Sequence, residues 1–255
     1  MQKSNAMIAL SVNVNKIALI RNSREGNNPD VVTYAQQCIA FGAHGITVHP
    51  RPDQRHIRAA DCYDLKKALS VELNIEGNPF AGFHASNRSD VNDYPGFMPL
   101  VRDTLPAQCT LVPDNTQQLT SDHGFDLKHN TNALQDIIAE LKALNIRVSL
   151  FMDCELEQLQ LARQIGADRV EFYTGPYANA NNLDAAFIPY QRAAEYALAQ
   201  GLEINAGHDL NLHNLPRFAH LPGLSEVSIG HALTIDALQY GLESTIMRYL
   251  AALHT

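Results

Sequence analysis

Short β-rich segments alternate with longer amphipathic segments along most of the chain. Apolar and β-branched residues cluster in short runs that predict strands over residues 8–14, 45–48, 72–75, 109–112, 147–151, 169–172, 203–205 and 226–229. Between most of these runs, apolar residues recur at helical spacing and predict helices over 30–41, 131–144, 155–165, 185–200 and 235–253. Strands that alternate with helices favour parallel βαβ units.

About eight such units in 255 residues predict an α/β fold, a (β/α)8 TIM barrel with extra helices. Gly42, Gly166 and Gly201 end predicted helices just before the next strand. A doubly wound open sheet is the alternative, but no G-x-G-x-x-G motif follows any predicted strand, which weakens its dinucleotide-binding form. We expect residues 7–255 to form one domain, and the polar residues 1–6 to be an N-terminal extension or a cloning remnant.

One segment, residues 77–108, breaks this alternation. It joins the third and fourth strands through Asn, Gly, Ser, Asp and four prolines, and only residues 97–105 in it predict a helix. Long irregular insertions in compact domains are usually functional or mobile. We therefore expect the insertion to be functional or mobile.

Charge and cysteine content narrow the class of protein. The net charge is −8 and there is no run of Lys or Arg, so we expect no nucleic-acid partner and a positive charge that is concentrated locally. No signal peptide and no apolar run of membrane-spanning length is present, so no membrane partner is expected. Cys38, Cys109 and Cys154 lie beside apolar residues and none of the four cysteines is in a C-x-x-C pair, which favours free thiols in a reducing cytoplasm.

Polar residues follow nearly every predicted strand. Parallel barrel strands bring their carboxyl ends to one face, so these side chains should lie together. In chain order they are Asn13, Asn15, Lys16, Arg21 and Arg24; His49, Arg51 and His56; Glu76; Asp114 and Thr120; Asp153; Glu171; Asn205 and His208; and Gly230 with His231. Each alone has a structural explanation, such as a hydrogen-bonded histidine or an Asx turn, but their joint placement on one face predicts an active site.

The residue types suggest acid–base chemistry on phosphorylated molecules. Backbone amides at 207–208 and 230–231 precede predicted helices and could bind phosphate, while Arg24, Arg51 and His56 could hold a second anion. A carboxylate at Glu76 and nearby histidines could transfer protons near neutral pH.

A metal site is the alternative for the same face. His49, Glu76, Asp153, Glu171 and His208 could in principle ligate a cation. The histidines come singly from different strands, however, with neither H-x-H nor H-E-x-x-H spacing, which disfavours a metal.

Ordered motifs over residues 7–249 resemble the pyridoxine 5′-phosphate synthase family, whose enzymes close the pyridine ring of vitamin B6. The motifs are LSVNVNKIALIRNSR, GITVHPRPDQRHI, LNIE, LVPDNTQQLTSDHG, VSLFMD, VEFYTG, INAGHDL and SIGHA. The resemblance implies a (β/α)8 barrel with extra helices, an octamer built from dimers, and no metal or organic cofactor. It implies the joining of 1-deoxy-D-xylulose 5-phosphate to 3-amino-2-oxopropyl phosphate, with release of pyridoxine 5′-phosphate, phosphate and water.

The resemblance also implies roles for individual residues. His49 and Glu76 would accept protons and His208 would donate one. The amino ketone phosphate would be bound by Asn13, Arg24, Asp209, Gly230 and His231. The pentulose phosphate would be bound by Arg51, His56 and Thr120, together with the positions of Asn15 and Lys16. The loop over residues 113–124 would close over the site.

The chain departs from the family pattern at a few positions. Asn15-Lys16 stand where the family usually has Asp-His, and Asp209 stands where it usually has Gly. These changes leave two further hypotheses open: a diverged barrel enzyme acting on another ketose phosphate, and a non-catalytic protein that binds a phosphorylated metabolite. Retention of His49, Glu76 and His208 argues against the second, because binding alone does not need them.

Overall fold

Among residues 7–115, 117–129 and 131–254, which the computed structural model describes, eight parallel strands pair in chain order and close into a barrel. The strands are β1 Ala9–Asn13, β2 Gly45–Val48, β3 Glu72–Gly77, β4 Gln108–Leu111, β5 Arg147–Met152, β6 Arg169–Tyr173, β7 Glu203–Gly207 and β8 Leu224–Ile229. Pairing of β8 with β1 closes the sheet, with Leu10 opposite Val227. The predicted TIM barrel is confirmed, whereas the predicted extension over residues 1–6 lies outside the described residues.

Helices surround the sheet. They are α1 Asn15–Asn22, α2 Val31–Ala40, α3 Ala59–Ala68, α4 Phe97–Thr104, α5 Thr131–Ala143, α6 Leu156–Gln164, α7 Gly175–Ala178, α8 Leu183–Ala199, α9 Leu215–Phe218, α10 His231–Tyr240 and α11 Leu242–Ala252. The irregular insertion runs from the end of β3 to α4 and contains a single antiparallel bridge between His84 and Tyr94.

The two faces of the strands differ in chemistry. Leu10, Val12, Ile46 and other apolar residues of the strands are fully or almost fully buried and belong to the hydrophobic core. Alternate residues are polar and bond to one another inside the barrel, because side chains along a strand alternate between its two faces. Ser11 Oγ lies 2.7 Å from Thr47 Oγ1, for example. The barrel interior is therefore a buried polar network.

The prediction of one helix over residues 235–253 is wrong. Two helices occupy this part of the chain, α10 and α11, and Gly241 separates them with a φ of +79°. A positive φ is easily adopted by glycine and cannot continue a right-handed helix. Helix α10 also begins earlier than predicted, at His231, so that its amino terminus lies directly after β8.

A buried ion pair ties α1 to the segment that follows β2. Arg21, predicted as a polar residue at a strand exit, donates to Asp61 at 2.5 and 2.9 Å and to the His56 carbonyl at 3.0 Å. Asn22 donates to the same carbonyl at 2.7 Å. Asp61 also accepts from the Arg58 N–H at 2.7 Å, at the start of α3. Arg21 is thus a structural residue that fixes the loop carrying His56.

We expect Asp61→Ala to lower the free energy of unfolding by about 3 kcal/mol or more, because it leaves the Arg21 charge buried without its partner. Urea denaturation followed by circular dichroism measures the change. The matched control is Asp184→Ala, which removes an exposed ion pair with Arg217 and should cost no more than about 1 kcal/mol. Equal effects of the two substitutions would contradict this role of Arg21.

Candidate active site

A cavity of about 380 Å³ lies at the carboxyl ends of the strands, and every strand of the barrel or the segment just after it contributes to its wall. The predicted site residues that line it are Asn13, Asn15, Lys16, His49, Arg51, His56, Glu76, Thr120, His208, Asp209, Gly230 and His231. Arg55, Glu171, Ser121, Ser228 and several apolar side chains complete the described part of the wall. Residues far apart in sequence therefore meet in one cavity, as the barrel topology requires.

Five residues from the predicted strand exits lie elsewhere. Arg21 pairs with Asp61 and Asn205 bonds to Glu226 inside the barrel, and the other three are placed as follows. Arg24 is exposed, and its carbonyl accepts a hydrogen bond from Arg88 at 3.2 Å. Asp153 accepts the Gly124 N–H at 3.0 Å, and Asp114 lies behind the wall, paired with Arg51. None of the three is among the described residues that line the cavity. The binding role expected of Arg24 stays a prediction.

The exits of β1 and β2 are fixed to each other by two asparagines. Asn13 Oδ1 accepts the Asn15 N–H at 3.0 Å, and Asn15 Oδ1 accepts the His49 N–H at 2.9 Å. The Asn15 side chain thus holds the backbone that carries His49. An aspartate at this position could accept the same bond, so the departure from the family pattern at Asn15 preserves this contact.

Burial sets the protonation of His49 and Glu76. Desolvation, helped by the neighbouring Arg51, lowers the pKa of His49 well below its usual value, so the imidazole is neutral at pH 7. Desolvation and the nearby carboxyl of Glu171 raise the pKa of Glu76 well above its usual value. The cavity therefore holds a neutral imidazole and a carboxyl group that retains its proton.

Glu171 also lines the cavity. The sequence indicated it only as an acidic residue at a strand exit and as a possible ligand of a metal ion. Burial and the carboxyl of Glu226 raise its pKa to about 8. Its neighbour Gly207 has no room for a side chain, because an added Cβ would lie 2.2 Å from Glu171 Oε1. The alternation of β6 places Glu171 inside the barrel, and this was the signal available in the sequence.

Cations and a neutral histidine gather at one side of the cavity. Burial and Arg51 lower the pKa of His56 to about 3. Its Nδ1 accepts the Ile57 N–H at 2.9 Å, so the ring proton is on Nε2 and can be donated to a ligand. Lys16 and Arg55 line the same cavity. This side suits a phosphate group.

We call the described residues 113–115 and 117–124 the lid, and Leu119, Thr120 and Ser121 of this segment line the cavity. Arg51 donates to Asp114 Oδ2 at 2.5 Å and to the Gln118 carbonyl at 2.9 Å. Ser121 donates to the same Asp114 oxygen at 2.9 Å. Thr120 Oγ1 lies 2.8 Å from His208 Nε2. Arg51 therefore binds the lid through these hydrogen bonds and also lines the cavity.

A second part of the cavity wall is formed by the start of α10, at the exit of β8 and next to the exit of β1. Gly230 precedes the helix, and a Cβ added there would lie 3.0 Å from Asn13 Cβ. The first N–H groups of a helix lack intrahelical partners and carry partial positive charge. Gly230, His231 and Ala232 all line the cavity, so these amides form a second place for a phosphate.

Together these features define a (β/α)8-barrel enzyme of the acid–base class with anion-binding groups at two sides of its cavity. A family model described as pyridoxal phosphate biosynthesis protein PdxJ matches residues 10–255. The chain belongs to this family, which confirms the resemblance seen in its sequence.

Individual proteins support the same assignment. The pyridoxine 5′-phosphate synthase of Xanthomonas oryzae pv. oryzae is 54% identical over 250 residues, which cover 95% of each chain. The protein of the same name from Porphyromonas gingivalis is 51% identical over 246 residues, covering 95% of this chain and 98% of the relative. A solved phosphoribosyl anthranilate isomerase from Thermus thermophilus shares the fold, with a TM-score of 0.56 and 11% identity over 97% of this chain and 98% of that one.

No described helix is long and apolar enough to cross a membrane.

We expect Glu171→Gln to stabilise the protein at high pH. Below pH 4.5, the usual pKa of Glu, both folded and unfolded states carry the proton, whereas between 4.5 and about 8 mainly the unfolded state ionises. The wild-type fold therefore loses relative stability as pH rises through this window, and glutamine does not. The gain near pH 8 should be on the order of 4 kcal/mol, at about 1.4 kcal/mol per pKa unit.

Urea denaturation at pH 5 and pH 8 tests this expectation. Glu195→Gln, on the exposed face of α8, is the control and should change stability by less than about 1 kcal/mol at either pH. A Glu171→Gln variant with equal or lower stability than the wild type at pH 8 would show that Glu171 is ionised in the fold.

Proposed function

We propose that this chain is a pyridoxine 5′-phosphate synthase that condenses 1-deoxy-D-xylulose 5-phosphate with 3-amino-2-oxopropyl phosphate. The observation that carries the proposal is one cavity that unites His49, Glu76 and His208 with anion-binding groups on two sides. Membership of the family supports it. The proposal includes no metal and no organic cofactor, as the resemblance implies.

The two phosphates take separate places on the cavity wall in this proposal, one at the start of α10 and one beside the segments that follow β1 and β2. The amino ketone phosphate lies at the start of α10, against Gly230, His231 and Asn13. The pentulose phosphate lies beside His56 and Lys16, where the Nε2 proton of His56 and the Lys16 ammonium face it. This arrangement brings the amine of one substrate to the ketone of the other between the acid–base groups.

The protonation states of His49 and Glu76 suit the first chemical steps. Attack of an amine on a ketone requires removal of a proton from nitrogen and delivery of a proton to oxygen. Neutral His49 can accept the first proton. A positively charged nitrogen of a bound intermediate would favour ionisation of Glu76, which would then act as a base on carbon when phosphate is eliminated. His208 supplies a proton to a departing oxygen, and the lid keeps bulk water away from Schiff-base intermediates.

The direct test is incubation with both substrates and detection of pyridoxine 5′-phosphate. We expect Glu76→Gln to lower kcat about a hundred-fold or more with little change in KM, because glutamine keeps the shape but cannot accept a proton. Glu72→Gln, at the other end of the same strand, is the matched control and should keep wild-type turnover. Near-normal turnover of Glu76→Gln would remove Glu76 from the mechanism.

We expect Gly230→Ala to raise KM for the amino ketone phosphate about ten-fold. Its Cβ would crowd Asn13 at 3.0 Å and shift the amides at the start of α10. The KM for the pentulose phosphate should change much less. Gly82→Ala is the control, since an added Cβ there meets nothing within 4 Å. A variant at Gly230 with unchanged KM for both substrates would contradict the placement of this phosphate.

We also propose a cytoplasmic homo-oligomer. The four cysteines are free thiols, which supports a reducing compartment. Large apolar side chains are exposed on α1, α10 and α11, namely Leu19, Ile20, Ile235, Leu238, Tyr240 and Met247. Such side chains in number mark surfaces that other chains cover. Sedimentation equilibrium should give a mass several times that of the 28.2 kDa chain.

A further inference from the structure

We propose that Asp209 is a positioning residue of the reaction, which orients the imidazole of His208 and stabilises its protonated form. The role in turnover rests on the proposed function, whereas the interaction between the two side chains does not. Asp209 stands directly after His208 at the exit of β7, on the wall of the cavity.

The backbone at this exit is held in an uncommon conformation. His208 has a φ of +85° and Asp209 a φ of +61°, and both lie in the region that favours glycine. Hydrogen bonds fix the turn from two sides: Thr174 Oγ1 donates to the Gly207 carbonyl at 2.7 Å, and Asn214 Nδ2 donates to the Asp209 carbonyl at 3.1 Å. A glycine would adopt the conformation of Asp209 without strain, so the presence of a side chain here points to a function for the carboxylate.

The carboxylate reaches one nitrogen of the histidine ring. Asp209 Oδ2 lies 3.0 Å from His208 Nδ1, although not in line with an N–H bond. Nδ1 is buried and has no aligned hydrogen-bond partner among the described residues. The Asp209 carboxylate is therefore the group positioned to interact with it. The contact with His208 is also the main cause that lowers the pKa of Asp209.

The other nitrogen of the ring faces the lid and the cavity. His208 Nε2 lies 2.8 Å from Thr120 Oγ1, and the ring of Tyr173 packs edge-on against the imidazole at 5.1 Å between centroids. A carboxylate beside Nδ1 keeps the Nδ1 proton in place. The Nε2 proton is then the one that passes to a departing substrate oxygen, and the ring recovers it from solvent.

Other titratable groups lie around His208. Glu171 lies on the far side of Gly207 and retains its proton up to a pKa of about 8. Asp122 on the lid and the phenol of Tyr173 face the same region. His231 on α10 is near enough to the Asp209 carboxylate to contribute to its lowered pKa. Within the described chain, Asp209 is the carboxylate in ion-pair contact with His208.

The test is the pH profile of kcat for Asp209→Asn, which keeps the shape and removes the charge. We expect the alkaline limb to move to lower pH by about half a unit to one unit, which lowers kcat roughly three- to ten-fold at pH 8 and less than about two-fold at pH 6. Asp209→Gly should show the same shift with an unchanged or higher Tm, because glycine relieves the backbone. Glu203→Gln, at the opposite end of β7, is the charge control and should leave the profile unchanged.

Two further measurements separate this role from a structural one and from the proposed function. In a His208→Asn background, Asp209→Asn should have no further effect on the profile, since the two side chains act as one unit. NMR titration of the His208 ring should give a lower midpoint in Asp209→Asn than in the wild type, whether or not pyridoxine 5′-phosphate is formed. An unmoved alkaline limb and ring titration, or an effect confined to KM for the amino ketone phosphate, would overturn the proposal.

Discussion

Closure of the sheet between β1 and β8 is the constraint on which the site depends. It places the carboxyl ends of all the strands around one opening. It also encloses the alternate side chains of each strand inside the barrel. Glu76, Glu171 and Glu226 share that interior, and burial raises the pKa of each. Carboxyl groups that keep their proton to a higher pH than usual thus follow from the geometry of a barrel with polar residues inside it.

The second determinant is the ion pair between Arg51 and Asp114. It joins the segment after β2 to the lid and leaves Arg51 with its guanidinium engaged at 2.5 Å. Arg51 lines the cavity together with His56 and Lys16, but its charge is already paired with that of Asp114. The lid in turn places Thr120 Oγ1 within 2.8 Å of His208 Nε2.

The fold could be predicted from short-range patterns in the sequence, whereas contacts between distant residues could not. The strands and the barrel could be inferred from alternating runs, and the cavity from polar residues at strand exits. The break at Gly241 was missed because apolar residues continue at helical spacing on both sides of it. The pairing of Arg51 with Asp114 joins residues 63 positions apart, and no local pattern reports it. The sequence showed Asp209 only as a departure from the family pattern, because its contact with His208 depends on two positive φ angles that no sequence pattern reports.

The central claim is that this cavity joins two phosphorylated substrates and releases one of the phosphates. Phosphorus NMR of a reaction that contains both substrates and the wild-type protein tests it directly. The account predicts that both ester signals decay together and that pyridoxine 5′-phosphate and inorganic phosphate appear in equal amounts. Ester signals that stay unchanged, or inorganic phosphate released without the pyridine product, would contradict it.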